Sequence, residues 1–191
     1  RLFRRQRQMC IRDSWWTGLI FVLIFVPLMI FFGNKISSKQ RDVVLYGMGI
    51  YQLGNKALTQ IGYIFSDNYI MASNLPLHLC GLSGILAGIV VFYRKQILFE
   101  FLYFFGLVGF IHSVLTPEFT GGVSSWKIFD YYVGHSMLII IPLWLMKYYE
   151  FRLRHNAWWT SFIYLQLIVV LVSQANSIIG NGANYMYLAC L

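Results

Sequence analysis

An all-α, polytopic bundle of transmembrane helices is the fold this sequence predicts, and three observations predict it. Its 191 residues are 58% hydrophobic and only 12% charged, about half the charge of a soluble domain and too little to cover a water-facing surface. Apolar runs recur at the length of about 20 residues that a helix needs to cross a bilayer. The Lys and Arg residues between those runs gather on alternate loops, the pattern that sets orientation during insertion. The net charge of +8 is therefore read as topology, and no nucleic-acid partner is expected. Cys10, Cys80 and Cys190 are too few and too scattered for a disulfide framework. The runs do not alternate as barrel strands do.

The chain opens with five Arg in its first fourteen residues, ending in MCIRDS. That string resembles the translation of a sequencing-adapter end. Residues 1–14 are accordingly set apart as a non-native segment, leaving 15–191 as one bundle domain. The first span, 15–33, is unbroken and starts on Trp15 and Trp16, which suit an interface. The second is 43–64. The third is 75–93, with Ser73 or Asn74 as N-cap and Pro76 in the first turn. The fourth, 96–115, stops before Thr116-Pro117. The fifth and sixth are 126–147 and 158–179, with Pro142 inside the fifth and Pro27 inside the first as candidate kinks.

The loops orient the bundle. Lys35, Lys39, Arg41, Arg94, Lys95, Lys147, Arg152 and Arg154 fall on one side, and only Lys127 on the other. The first side is cytoplasmic by the positive-inside rule, so residue 15 starts outside. A five-Arg arm outside would oppose the rule, a second reason to set 1–14 apart.

Polar groups inside hydrocarbon face a bundle interior or a wet cavity. The second span carries Gln52, Asn55, Lys56, Thr59 and Gln60, one helical stripe. The third carries Cys80, Ser83, Gly84, Ala87 and Gly88, a small-residue face suited to close packing. The sixth carries Gln166, Ser173, Gln174 and Ser177, with Asn176 beside them. At about 1.5 Å per residue, Cys80 lies roughly 8 Å and His135 roughly 14 Å from the outer ends of their spans. His112 is within about 8 Å of its outer end, while Glu100 lies near the inner end. Packing alone would explain the small face. It explains a lysine in hydrocarbon less well, and polar groups at one depth on five helices point to a hydrated outer pocket.

A thiol and an imidazole are the parts of a nucleophilic acyl-transfer site. Cys80 is the candidate nucleophile and His135 or His112 the candidate base. His78, two residues from Cys80, points away on the same helix. Gln52, Asn55, Lys56, Gln174 and Asn176, with His78 and His112, are candidates for substrate binding or oxyanion support. A zinc site of His78, His112 and His135 lacks any local ligand motif, and no metal or cofactor is expected. Three readings stay open: an enzyme acting on a lipid, a transporter or small-molecule binder with Lys56 against an anion, and a structural or sensory protein. Oligomeric state is not legible.

LPLHLCGLSG (75–84), FEFLYFFGLVGFIHSVLTPE (99–118), FDYYVGHSML (129–138) and NYMYL (184–188) together resemble the YwaF-like family of bacterial integral membrane proteins. The resemblance covers most of the chain from about residue 43. It implies a multi-pass protein of the bacterial cytoplasmic membrane and a seventh helix beyond Leu191. It extends distantly to eukaryotic membrane proteins that transfer acyl chains onto ether phospholipids, whose proposed active residues are a Cys and a His. The matching positions are Cys80 in LHLC and His135 in GHSM. His112 stands where that family places a small residue.

Overall fold

The computed structural model describes residues 2–65, 69–117, 124–180 and 182–188, with side chains from Trp15 onward in the first helix. The described chain is all helical apart from its connections. Helix α1 spans Leu2–Lys35, α2 Ser38–Ile64, α3 Met71–Asn74, α4 Leu79–Phe92, α5 Gln96–Leu115, α6 Ser125–Tyr148 and α7 Ala157–Ile179. A 3₁₀ turn, Tyr185–Tyr187, follows. Among the described residues, four helices are long and apolar enough to cross a membrane: α1 from Trp15, α5, α6 and α7. The protein is thus a multi-pass helical bundle with at least four apolar spans. The α1 backbone helix runs through residue 14 without interruption. The expectation that residues 1–14 stand apart from the bundle falls on side chains outside the described residues.

Local chemistry sets the helix ends. Ser37 and Gln40 form a reciprocal capping box at the start of α2. The Ser124 hydroxyl accepts the Lys127 N–H at the start of α6. Helix α5 stops at Leu115, since Pro117 disfavours helical geometry at Thr116.

The third span departs from the sequence reading. It is not one helix over 75–93. Helix α3 ends at Asn74, Leu75 and His78 are extended, and α4 starts only at Leu79. Pro76 accounts for part of this, because the residue before a proline is driven out of the α region. The rest is tertiary: the Leu75 N–H donates to the Tyr185 hydroxyl at 2.9 Å, which also donates to the Met71 carbonyl at 2.6 Å. Cys80 consequently sits in the first turn of α4 rather than well inside a longer helix. At 14 residues, α4 is about 21 Å long.

Helices α4 and α6 form the centre. Helix α4 packs on α2, α5 and α6, while α6 also meets α1. Leu45, Val90, Val91, Phe99, Leu102, Ile140, Ile141, Trp144 and Leu145 are fully buried there. The small face of α4 lets α2 approach: a Cβ at Gly88 would lie 2.4 Å from Leu53 Cγ. Helix α7 lies to the side, against α5, α3 and the 3₁₀ turn.

The basic loops cluster at one end of the bundle. The Arg94 guanidinium bonds Asp42 at 3.1 Å and stacks over Tyr149. Asp42 also accepts the Tyr149 hydroxyl at 2.7 Å. These contacts, Tyr149 first, hold the Asp42 carboxyl below its ordinary value. Burial and the neighbouring carboxylate push the Tyr149 hydroxyl up to about 12. Glu100, almost wholly buried, accepts from Arg154 Nε, Nη2 and backbone N and from Gln96. This raises the Arg154 guanidinium further and fastens the 149–156 loop to the base of α5.

Candidate functional site

At the opposite end, α2, α4 and α6 enclose a cleft of about 190 Å³. Gln52, Asn55, Lys56 and Thr59 come from α2, Cys80 and Gly84 from α4, and Lys127, Asp130, Tyr131, Gly134, His135 and Leu138 from α6. Thr59 and Lys127 are exposed at its rim, whereas Cys80, Lys56 and His135 are half-buried within it.

Each side chain has a local reason for its place. Cys80 is the second residue of α4, where backbone N–H groups have no partner in the helix. Negative charge developing there, on sulfur or on a carbonyl oxygen that sulfur attacks, meets the positive end of the helix dipole. The thiol donates to the Gly109 carbonyl at 3.7 Å. The same helix face continues through Gly84, over which the Lys56 chain lies: its Nζ is 3.7 Å from where a Gly84 Cβ would stand. Lys56 is within electrostatic reach of Cys80, Asp130 and His135.

His135 is oriented by its own helix. Its Nδ1 lies 2.7 Å from the Tyr131 carbonyl oxygen, one turn back. A carbonyl can only accept, so Nδ1 carries the hydrogen, and the neutral ring keeps its lone pair on Nε2. The Tyr131 ring packs against the imidazole at 4.2 Å between centroids, and its hydroxyl donates to the Ser113 carbonyl on α5.

The polar stripe of α2 is mostly committed to neighbouring helices. Gln52 donates to the Gly134 carbonyl at 2.8 Å. Asn55 donates to both Asp130 carboxylate oxygens at 2.8 and 2.9 Å, and the Tyr51 hydroxyl reaches the same carboxylate at 2.7 Å. Gln60 donates to the Asn74 carbonyl. The Gln52 and Asn55 amides thus line the cleft while tying α2 to α6, and Lys56 is the cationic side chain among those named for oxyanion support.

Five of the nine sequence-derived candidates therefore line one cleft: Cys80, His135, Gln52, Asn55 and Lys56. The other four do not. His112 and Gln174 are exposed on α5 and α7. His78 is an exposed N-cap residue whose Nδ1 accepts the Met186 N–H. Asn176 is buried, but it holds the 3₁₀ turn by two bonds to the Tyr185 backbone. Asp130 is the member that the sequence reading missed. A lysine kept among apolar helices calls for a nearby carboxylate, and Asp130 is the acid at the right depth on the helix bearing His135. Among the described residues, no group of three or more His, Cys, Asp or Glu side chains is placed to hold a metal ion.

The TMEM164 family matches the chain over residues 7–191. This is a membrane-protein family covering nearly the whole sequence, and nothing in the comparison points to the YwaF-like family in particular. No curated protein and no solved structure matches the chain.

Proposed function

The chain belongs to the TMEM164 family, and from the cleft we propose that it is a thiol-dependent enzyme that transfers or hydrolyses an acyl group of a membrane lipid. One observation carries this reading: Cys80 and His135 line a single cleft, with the imidazole held so that Nε2 is its basic nitrogen. The likeness of LHLC and GHSM to acyl-transferring membrane proteins supports it.

The chemistry runs in two halves. His135 Nε2 takes the Cys80 thiol proton as sulfur attacks the ester carbonyl. The oxyanion forms beside the first turn of α4 and the Lys56 ammonium. The ester C–O bond breaks, the lipid alcohol leaves with the proton from the imidazolium, and a thioester remains on Cys80. A second lipid hydroxyl, or water, then gives its proton to His135 and attacks the thioester. Collapse returns the proton to sulfur and releases the new ester or the fatty acid.

In this reading α2 and α4 cross the bilayer with the four apolar helices, making six crossings, and the cleft opens to the outer leaflet. Residues 1–14 stand outside the functional unit. The location is a cell membrane, and the lipid bilayer is the working partner.

The test is lipid turnover by purified protein in vesicles. Cys80→Ala should abolish it while leaving the fold intact. His135→Ala should lower it by about 10²–10⁴-fold, the range of general acid–base catalysis. Full turnover by Cys80→Ala would remove the reading. A second reading, transport or binding of an anion at Lys56, is favoured by the break between α3 and α4, since discontinuous helices mark transporter sites. It expects Cys80→Ala to keep ligand binding and Lys56→Gln to lose it.

A further inference from the structure

The NYMYL segment takes no part in the cleft, yet it is fastened from several sides. Tyr185 is fully buried, and Asn176 nearly so. Asn176 Nδ2 donates to the Tyr185 carbonyl at 2.9 Å, and Asn176 Oδ1 accepts the Tyr185 N–H at 3.0 Å. The Tyr185 hydroxyl then donates to the Met71 carbonyl and accepts the Leu75 N–H. The His78 ring meets the Tyr185 ring edge-on at 5.1 Å, and its Nδ1 accepts the Met186 N–H at 3.4 Å. Met186 and Tyr187 follow with φ of 56° and 59°. Two bulky residues in succession rarely adopt the left-handed region, and strain of this kind gathers near functional sites.

What the turn holds is the entry to α4. Met71 and Leu75 flank the break, and Cys80 lies five residues beyond Leu75. The first turn of α4 closes on the same loop: a Cβ at Gly81 would lie 2.7 Å from the Pro76 carbonyl oxygen. A shift of the 75–78 segment is thereby passed to Cys80. Loss of one hydroxyl would leave both the Met71 carbonyl and the Leu75 N–H without this partner.

We propose that Asn176 and Tyr185 form a positioning pair that fixes the α3–α4 break and so aims the Cys80 sulfur into the cleft. This rests on the catalytic reading of Cys80. Neither residue touches the reacting atoms.

The experiment uses the full chain in vesicles with Cys10→Ser and Cys190→Ser. Gly109→Cys serves as a ruler in one arm, since Cys80 Sγ lies 3.5 Å from where a Cβ at position 109 would stand. Tyr185→Phe keeps the ring and removes the hydroxyl. It should slow formation of the 80–109 disulfide under mild oxidant about tenfold. In the chain that keeps Gly109 it should lower kcat for lipid turnover about 10- to 100-fold with KM within twofold, as misplacement of a reacting group does. Asn176→Asp retains the acceptor for the Tyr185 N–H and should give intermediate values in both assays, which covers the case of poor folding by Tyr185→Phe. Unchanged disulfide rates in both variants would overturn the proposal, as would a change confined to KM. If the unsubstituted protein turns over no lipid, the catalytic reading fails on its own, and the disulfide arm still decides whether the pair places Cys80.

Discussion

Replacing Asp130 with Ala should unfasten α2 from α6 at the cleft. Asp130 accepts from the Tyr51 hydroxyl at 2.7 Å and from the Asn55 amide at 2.8 and 2.9 Å. A hydrogen bond to a charged group contributes about 1.5–3 kcal/mol. Tyr51 and Asn55 are half-buried, and Asn55 borders the cleft, so water can rehydrate them in part and the low end applies. Counting one bond for each donor group, Asp130→Ala should cost roughly 3 kcal/mol, and Tyr51→Phe roughly 1.5 kcal/mol. Because both changes delete the same bond, the double variant should fall short of the sum by about 1–1.5 kcal/mol. Equilibrium unfolding in mixed detergent micelles, followed by Trp fluorescence, gives all four corners of the cycle. Asp130→Asn keeps the shape while removing the charge, and separates the two contributions. A coupling below about 0.3 kcal/mol, within ordinary additivity, would refute the argument that this carboxylate joins the helices.

Two further outcomes concern the basic end. Glu100→Gln should lower stability by about 1–2 kcal/mol in the same assay, a value discounted because Arg154 is 56% exposed. It should leave Cys80 reactivity toward a maleimide unchanged, as the cleft lies at the other end. Asp42 and Tyr149 should make stability depend on pH at both extremes. The Asp42 carboxyl is depressed in the folded protein, so its contribution is present above 3.8, its ordinary value, and is lost as pH falls through the lower folded value. The Tyr149 hydroxyl is raised, so its contribution is present below 10.0 and is lost as pH climbs through about 12. Asp42→Asn should therefore unfold at a lower temperature than the parent at neutral pH and converge with it in strong acid. A gap that persists below the folded value of Asp42 would count against the pairing.

The long apolar helices were legible because composition and local stops act within a few residues. Helix α5 was read at 96–115, the limits at which it occurs, since Lys95 and Thr116-Pro117 bracket it. The third span was misread because Ser73, Asn74 and Pro76 imitate a helix start. Pro76 itself keeps Leu75 out of helical geometry, and the Leu75 N–H is held by the hydroxyl of Tyr185, 110 residues away, a contact that no local pattern announces. The α2 stripe reads as cleft-facing, and Gln52, Asn55, Lys56 and Thr59 do line the cleft. That two of its amides are occupied by α6 depends on which residues face them, and Asp130, the carboxylate that holds Asn55, was not singled out in the sequence. Shared depth drew in His112 and Gln174, but depth does not fix rotation about a helix axis, and both turn outward.

The size of the cleft has a consequence for selectivity. Its volume of about 190 Å³ is below the roughly 300–1,000 Å³ of pockets that enclose a whole small-molecule ligand. On the proposed acyl-transfer reading, a lipid would present an ester and its immediate surroundings, while its tails stay among their neighbours in the leaflet. Tail methylenes that never leave hydrocarbon contribute no transfer free energy on engagement, unlike the roughly 0.8 kcal/mol each gains on leaving water. Discrimination by such a protein would fall on the linkage and the polar end of the molecule, with little regard to chain length. Its half-saturation would scale with the mole fraction of substrate in the membrane rather than with concentration in the surrounding buffer.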